Sequence, residues 1–329
     1  MVGVSPNLQS ALEHLAQGRP RRELTQRAEA ISQAFRSGAG SREAIRGADD
    51  AFAYSFTRLP ATFAAATAVL AALADSAPDF TPRSLIDAGA GPGTAAWAAA
   101  AQFASLGDIR LIDHNPHLRA LGLSLLEASA DAALRGASYE PGDLVAAANR
   151  GAPADLVIAS YAVGELAADA LTRAADALWS ATADVLVVIE PGTPAGFARI
   201  RALRAHLLAH GAHALAPCPH DNACPIVDPD WCHFAQRLPR SRDHRLVKGA
   251  ALAFEDEKFS YVALARSRRP VAGARVLAHP RVSKAAVSTK LCTADGIVST
   301  TAGRRERARY AAQKRWRWGD QVDWPDQGP

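Results

Sequence analysis

The stretch from residue 84 to residue 93, SLIDAGAGPG, combines residue types that could hold a polar ligand. An apolar run ends at Asp87, and three glycines follow at alternate positions, Gly89, Gly91 and Gly93. Glycines let the backbone approach a ligand where a Cβ would collide, and a helix that begins behind them offers unpaired N–H groups. The carboxylate would repel a pyrophosphate but would attract an ammonium group. The stretch therefore predicts a site for a ligand that carries an amino-acid moiety.

Two further acids extend this predicted site. Asp113 follows Asp87 by 26 residues, at the end of a second apolar run, where a carboxylate can accept both hydroxyls of a ribose. Asp143, in YEPGDL, could receive an adenine amino group or cap a helix. The pattern D-x-G-x-G-x-G differs from the G-x-G-x-x-G of dinucleotide sites. It resembles motif I of the S-adenosylmethionine-dependent class I methyltransferases, whose cofactor these six residues would bind; the alternative is a tight βα turn without a ligand.

The chain has four cysteines, Cys218, Cys224, Cys232 and Cys292. The first three follow C-x5-C-x7-C, and the fourth comes 60 residues later. This clustering indicates a metal site more than free thiols, and disulfides fit poorly with a chain in which we recognise no export signal. Zinc usually takes closer C-x2–4-C pairs, whereas a cubane is held by thiolates at four corners. The spacing favours an iron–sulfur cluster slightly over zinc; His220 and His233 could ligate zinc or donate hydrogen bonds to cluster sulfurs.

The first part of the chain is predicted to be helical. Apolar residues recur at three-to-four spacing over residues 7–75, and alanine is abundant. The segment AYSFTRLPATFAA, residues 53–65, is aromatic and basic and stands just before the glycine-rich stretch. We expect it either to cover a bound cofactor or to pack as a helix.

Strands and helices alternate from residue 83 onward. Apolar runs at 109–112, 155–159 and 185–190 predict strands, each followed by a polar loop. Loops after parallel strands meet at one edge of a sheet, where such folds bind ligands. The pattern predicts an α/β fold with a Rossmann-like sheet.

The remainder of the chain has a different pattern. Residues 217–240 predict a loop rich in Pro, His, Asp and Cys, and residues 247–254 and 259–265 predict the last hairpin of the sheet. Short alternating runs over 270–301 predict a small β-module, and 304–318 predicts a terminal helix. We expect three regions: helices at 1–80, a methyltransferase-like domain at 81–267 with a cysteine-rich insertion at 211–240, and a β-module with a basic helix at 268–329.

Charge is distributed unevenly along the chain. Residues 1–230 carry 17 Lys and Arg against 24 Asp and Glu, whereas residues 231–329 carry 20 against 9. A basic third on an acidic body suggests a polyanionic partner bound on one face. No uninterrupted apolar run of about 18 residues is seen, so we expect no membrane partner. In the absence of a recognised targeting segment, we expect a cytoplasmic protein.

Several stretches together resemble one protein family. They are RLPATFAA, DAGAGPG, EPGTP, PCPHDNACP, WCHF-x-QR, FEDEKFSYVALAR, LCTADG and a basic terminus with RWGD. Together they resemble the methyltransferase-like proteins of the mitochondrial ribosomal small subunit and their bacterial relatives, from about residue 50 to the end. The resemblance implies a class I methyltransferase fold with S-adenosylmethionine, and a 4Fe-4S cluster on Cys218, Cys224, Cys232 and Cys292. It also implies a role on small-subunit ribosomal RNA, in ribosome assembly or translation.

Whether the chain transfers a methyl group is left open by its residues. No catalytic base stands out, and SYAVGEL follows the fourth strand in place of an N-P-P-Y-like tetrapeptide. Tyr161 and Glu165, in that stretch, are the residues expected nearest to a methyl acceptor. Trp316 and Trp318 are expected to stack on exposed bases or to pack inward. The alternatives are a non-catalytic ribosome assembly factor and a small-molecule methyltransferase with a structural zinc.

Overall fold

The computed structural model describes residues 3–146, 151–240, 242–248, 251–271 and 273–324. A large mixed sheet carries the glycine-rich stretch, and a smaller sheet follows it along the chain. The strands are β1 Ser84–Ala88, β2 Asp108–Asp113, β3 Ser138–Pro141, β4 Ala154–Ser160, β5 Thr182–Pro191, β6 His213–Ala216, β7 Phe234–Pro239, β8 Phe254–Ala265, β9 Ala274–Val276, β10 Arg281–Val282, β11 Ala286–Thr293, β12 Gly296–Gly303 and β13 Gln321–Val322.

The large sheet has the strand order β3-β2-β1-β4-β5-β8-β6, and β7 also pairs with β8. Strands β1 to β5 run parallel, whereas β8 is antiparallel to β5. Strands β6 and β7 are antiparallel to different parts of β8. The carboxyl ends of the parallel strands therefore meet at one edge, and the predicted α/β sheet is confirmed.

Helices cover both faces of this sheet. The helices of the described residues are α1 Pro6–Ala16, α2 Arg21–Arg36, α3 Ser41–Ala44, α4 Ala48–Ser76, α5 Thr94–Gln102, α6 Pro116–Glu127, α7 Ala132–Arg135, α8 Leu171–Ser180, α9 Pro194–Ala209, α10 Arg242–Val247 and α11 Arg307–Arg315, of which α11 packs against the second sheet. Successive residues of β1 enter different cores: Leu85 packs in the core that contains α4 and α5, and Ile86 in the core that contains α8 and α9. Burial on both faces explains why the strands are continuous apolar runs.

Helix α4 spans 29 residues and includes the whole of 53–65. Among the described residues it is the helix long and apolar enough to cross a bilayer, but 67% of its most apolar window is buried inside the protein. Phe52, Leu59 and Phe63 are at most 3% exposed. The segment is therefore a core helix and not a loop, although Tyr54 and Thr62 on the same helix line the cleft described below.

Two predictions for the region after α9 are wrong. Val247 is not in a strand but ends the short helix α10, where it packs with Phe52 and Phe56, and Phe254 begins β8. The partner of β8 in the hairpin is β7, which lies inside the predicted loop. Phe234 and Leu238 are buried at spacing that suits one face of a strand.

The second sheet has the order β10-β11-β9-β13, with β12 on β11. Its small apolar core consists of Ala274, Val276, Leu291 and Val322. The predicted terminal helix is shorter than expected, since β12 extends to Gly303 and α11 covers Arg307–Arg315. The predicted β-module is therefore present as a sheet of its own.

Candidate functional site

A cleft of about 490 Å³ opens at the carboxyl end of β1. Asp87, the fourth residue of that strand, is fully buried at its floor. One carboxylate oxygen accepts a hydrogen bond from the Ala96 N–H at 3.0 Å, and the other has no partner among the described residues. Burial raises the pKa of Asp87 to about 7; the Ala96 N–H opposes the shift and Asp113 adds to it. An unpaired buried carboxylate of this kind fits an ammonium group.

The glycines shape the turn between β1 and α5. Gly89 has φ +72°, and a Cβ there would lie 2.5 Å from the Cβ of Ala162. Gly93 has φ +83° and immediately precedes α5, where a Cβ would lie 3.0 Å from Leu111. Gly89 and Gly91 line the cleft, but Gly93 is not part of its lining. The role of Gly93 is thus to close the turn.

Asp113 and Asp143 line the same cleft as Asp87. Asp113 accepts hydrogen bonds from the Gly91 N–H at 2.8 Å and the Asn115 N–H at 2.7 Å, which fix its orientation. Burial raises its pKa, and these two N–H groups oppose the shift. Asp143 accepts from the N–H groups of the second and third residues after it, both at 3.0 Å, so it also caps a turn.

Tyr161 and Glu165 reach the cleft, but their polar atoms have partners within the chain. The Tyr161 hydroxyl donates to Glu257 at 3.0 Å, and Arg58 donates to the same carboxylate oxygen at 2.9 Å. Burial, followed by the charge of Glu257, holds the pKa of Tyr161 well above its usual value. Glu165 accepts both the N–H and the hydroxyl of Ser41. Both hydrogen bonds from Ser41 go to one oxygen of Glu165, so the Tyr161 hydroxyl and that oxygen are engaged within the chain.

The four cysteines are neighbours where the two sheets meet. Cys218, Cys224 and Cys232 lie on the segment between β6 and β7, and Cys292 lies on β11. Burial is the main cause that holds the pKa of Cys232 well above its usual value, and the thiols of the other three cysteines add to the shift. Burial and the thiols of Cys218 and Cys224 raise the pKa of Cys292 to about 12. The Cys292 sulfur also lies 3.6 Å from Nε2 of His220.

The arrangement of these thiols limits what they could bind. Four thiolates suit soft metals. In tetrahedral zinc sites, sulfurs stand about 3.8 Å apart, given a Zn–S bond of about 2.3 Å. Across the described ranges, no three His, Cys, Asp or Glu side chains are arranged to hold a single metal ion. The donor types fit a metal centre, but the side chains as they stand do not form a single-ion site.

Two buried arginines flank the thiols, and sequence reasoning missed both. Arg204 on α9 donates to the carbonyl of His220 at 2.7 Å. Arg275 on β9 pairs with Cys292 across the second sheet and donates to the carbonyl of Pro217 at 2.8 Å. Each is 3% exposed. Arg204 could have been found, because it occupies a core-facing position in the helical period of α9.

The remaining predicted residues near the cluster pack inward. His233 lies between Trp231 and Trp318, at ring distances of 4.9 Å to each, and its Nδ1 contacts the Trp231 carbonyl at 3.1 Å. Trp318 also packs on Phe234. Trp316 packs against the small core of the second sheet. Both tryptophans are half-buried in these contacts, which favours the inward-packing alternative for Trp316 and Trp318.

Comparison with known proteins identifies relatives over most of the chain. The family described as "Mitochondrial small ribosomal subunit Rsm22" matches residues 48–325. The chain is 29% identical over 290 residues to "Ribosome assembly protein METTL17, mitochondrial" of Homo sapiens, covering 81% of this chain and 61% of that protein. It is 27% identical over 240 residues to "Rsm22-cox11 tandem protein 2, mitochondrial" of Schizosaccharomyces pombe, covering 64% and 31%. The chain thus spans less than two thirds of the length of either relative.

Solved structures resemble the large sheet and its helices only in part. Magnesium protoporphyrin IX methyltransferase from Synechocystis with bound SAM is 13% identical, with a TM-score of 0.42, and covers 68% of this chain and 85% of that one. Precorrin-6y C5,15-methyltransferase from Geobacter metallireducens is 14% identical, with a TM-score of 0.40, and covers 60% and 85%. These partial overlaps carry no functional argument. The predicted class I methyltransferase fold is confirmed by the strand order itself.

The family match corrects one prediction and confirms another. The expectation of a cytoplasmic protein is wrong, since the family is described as mitochondrial and both relatives are named mitochondrial. The predicted resemblance to methyltransferase-like proteins of the small ribosomal subunit is confirmed. With 48–325 matched, the chain belongs to the mitochondrial small ribosomal subunit Rsm22 family.

Proposed function

We propose that the protein binds S-adenosylmethionine and a 4Fe-4S cluster, and that it acts on small-subunit ribosomal RNA during ribosome assembly or translation. One observation carries this proposal: the matched region, 48–325, contains both the glycine turn after β1 and all four cysteines. The human relative is named a ribosome assembly protein. The activity of the whole human relative is only a proposal for this chain, because the match covers 61% of that protein's length.

Three carboxylates would bind the cofactor. The unpaired oxygen of Asp87 would accept the ammonium, and Asp113, held by two backbone N–H groups, would accept the ribose hydroxyls. Asp143 would accept the adenine amino group while keeping its turn hydrogen bonds. When bound, S-adenosylmethionine supplies a methyl group on a positively charged sulfur. The residues of this chain would orient it and exclude water from it.

The four thiols support a cluster over a single zinc ion. Burial and neighbouring thiols raise the pKa of Cys232 and Cys292, so the thiols are close, yet they form no single-ion site within the described residues. A cubane spreads its thiolates further apart, because each binds a different corner. Arg204 and Arg275 place two buried positive charges beside an anionic centre. Such charges would offset the negative charge of thiolate-ligated iron.

A basic face formed by α11 and the residues just before it supports an RNA partner. Arg304, Arg305, Arg307, Lys314 and Arg315 are exposed, and none of them forms an ion pair within the described part of the chain. Unpaired surface cations of one sign attract phosphates. Because Trp316 and Trp318 pack inward, we propose that this face contacts the RNA backbone and not its bases.

Reversing three charges on this face is expected to abolish RNA contact. In cells, a tagged wild-type protein should crosslink mainly to small-subunit ribosomal RNA, and the triple variant Arg304→Glu, Arg305→Glu, Arg307→Glu should lose those crosslinks. In vitro, the affinity for a small-subunit RNA fragment can be measured at several salt concentrations. The slope of log affinity against log salt should be smaller in magnitude, by about 2, for the triple variant than for the wild type. Each lost phosphate contact removes about 0.7 to 0.9 from that slope.

A matched control changes the same charge elsewhere. Arg22, Arg36 and Arg173 are exposed arginines on α2 and α8, away from α11. Their combined replacement with glutamate should leave the crosslinks and the salt slope unchanged. An equal loss in both triple variants would mean that net charge, and not this face, governs binding. A flat crosslink map for the wild type would contradict the ribosomal role.

A non-catalytic assembly role is favoured by the part of the cleft that was expected to lie nearest to a methyl acceptor. The Tyr161 hydroxyl and one oxygen of the Glu165 carboxylate are engaged within the chain. Replacing Asp113 with alanine separates the two possibilities. Lost ribosome assembly with intact RNA binding would indicate that the cofactor is needed, whereas unchanged assembly would indicate a scaffold that works without it.

A further inference from the structure

Residues 38–45, which we call the strap, cross the open side of the cleft. Gly38, Gly40, Ser41, Arg42 and Glu43 all contribute to the cleft lining. The strap joins α2 to α4 and contains the one-turn helix α3. It comes from the N-terminal helices and not from the sheet that carries the cofactor-binding acids.

One attachment of the strap is at the end of β2. Asn115 follows Asp113 by two residues and is 2% exposed. Its amide donates to the carbonyls of Ser41 and Ile45, both at 3.1 Å. The same side chain accepts the first N–H groups of α6, and its own N–H donates to Asp113. Asn115 therefore ties the strap to the acid expected to bind the ribose.

The other attachment is beyond the end of β4. One oxygen of Glu165 accepts the Ser41 N–H at 2.9 Å and the Ser41 hydroxyl at 2.8 Å. The hydroxyl also lies 3.2 Å from Nε2 of His114. Ser41 is 6% exposed, whereas Glu165 is exposed, so these hydrogen bonds are partly buried. Hydrogen bonds to a carboxylate are stronger than those between neutral groups.

Because of the sheet order, a strap with these two attachments closes the cleft over the end of β1. Strand β1 lies between β2 and β4, so a segment fixed to the ends of both neighbours must pass over the end of β1. Asp87 and the glycine turn lie at that position. The strap therefore covers the place where the cofactor would bind.

We propose that the strap must open for S-adenosylmethionine to enter and leave, and that Glu165 is its latch and not a residue that contacts a methyl acceptor. This inference rests on the proposed binding of that cofactor. It assigns Ser41, Asn115 and Glu165 a positioning role: they hold the strap shut over bound cofactor. Because opening precedes both entry and exit, weakening the latch raises the association and dissociation rates together and leaves the dissociation constant nearly unchanged.

The test measures radiolabelled S-adenosylmethionine on the full chain, by binding and by chase with unlabelled cofactor. Glu165→Ala should speed both rates by about tenfold, as expected for lost hydrogen bonds to a charged group. Ser41→Ala, which keeps the backbone N–H, should have a smaller effect in the same direction. Ser37→Ala is the matched control, since its hydroxyl bonds only the Ala34 carbonyl of α2.

Two results would overturn the latch. Unchanged rates in Glu165→Ala would show that the strap does not control exchange. A faster dissociation with unchanged association, and hence a weaker affinity, would show that Glu165 contacts the cofactor directly.

Hydrogen–deuterium exchange on the cofactor-free protein tests the latch independently. Glu165→Ala should accelerate exchange at residues 40–45, because the Ser41 N–H loses its acceptor. Unchanged exchange there would overturn the latch. If the wild type binds no S-adenosylmethionine, the proposed function fails, while accelerated exchange would still support the strap's attachment to Glu165.

Discussion

Replacing Cys292 with serine is expected to remove most of the iron and sulfide from the purified protein. Cys292 is the thiol supplied by the second sheet, whereas the other three come from the segment between β6 and β7. A metal centre that uses all four would join the two sheets, and its binding energy would be partly folding energy. We therefore also expect a loss of stability of about 4 kcal/mol or more. Iron and sulfide assays and thermal unfolding measure the two effects.

A control variant keeps every thiol but breaks a neighbouring contact. Lys290 lies two residues before Cys292 and pairs with Asp230 of the cysteine-rich segment. Lys290→Gln should retain full iron and lose at most about 1 kcal/mol, as is usual for exposed ion pairs. Full iron content in Cys292→Ser would contradict the proposed cluster ligands. A colourless wild type that holds one zinc ion would support the zinc alternative.

Replacing Asp87 with asparagine is expected to weaken S-adenosylmethionine binding by at least about 30-fold. The change removes the charge that would pair with the ammonium, and truncating one partner of a buried charge pair costs about 2–5 kcal/mol. Asparagine can still accept the Ala96 N–H, so the turn should persist. Isothermal titration measures the affinity. Asp79→Asn, at an exposed position before β1, is the matched control and should bind normally.

The same carboxylate makes cofactor binding depend on pH. Burial first, and Asp113 in addition, raise the pKa of Asp87 to about 7 in the folded protein. Below that value the carboxyl must lose its proton before it can pair with an ammonium. Affinity should therefore fall about tenfold per pH unit as pH drops below 7. The slope should be absent in Asp87→Asn, and an equal slope in both proteins would assign the titration to another group.

The stability of the cofactor-free protein should show the opposite trend. Between about pH 4 and pH 7, the unfolded chain has lost the Asp87 proton while the folded chain retains it. Folding then takes up a proton, so the free energy of unfolding falls as pH rises through this range, by roughly 4 kcal/mol at most. Denaturant titrations at pH 5 and pH 8 measure this fall. Bound cofactor should reduce it, because the ammonium would stabilise the charged form.

The sheet and its ligand edge could be predicted because they follow from local pattern. Apolar runs with polar ends place Asp87, Asp113 and Asp143 at one edge wherever strands run parallel. Val247 was assigned to a strand because short apolar runs fit both periods, whereas β7 lies in a stretch predicted as a loop from its Pro, His, Asp and Cys content. In each case a tertiary contact decides: Val247 meets Phe52 of α4, and β7 meets β8.

The strap and the buried arginines lie beyond what local pattern can predict. Ser41 and Glu165 are 124 residues apart, and nothing in either local sequence marks the other as its partner. In the sequence alone, Arg275 looks like the other basic residues of the C-terminal region. Its place beside Cys292 follows only from the pairing of β9 with β11. Only the folded chain shows which of the many arginines are buried and which face solvent.

The inward packing of Trp316 and Trp318 has a consequence for how a partner RNA would be chosen. A basic face whose tryptophans pack against the protein attracts any phosphate backbone, and such backbone contacts cannot distinguish one sequence from another. Selectivity would then come from the shape into which the RNA has folded, because the spacing of phosphates must match the spacing of the guanidinium groups. Such a protein would report on the progress of RNA folding, binding a subunit at one stage of maturation and not at another.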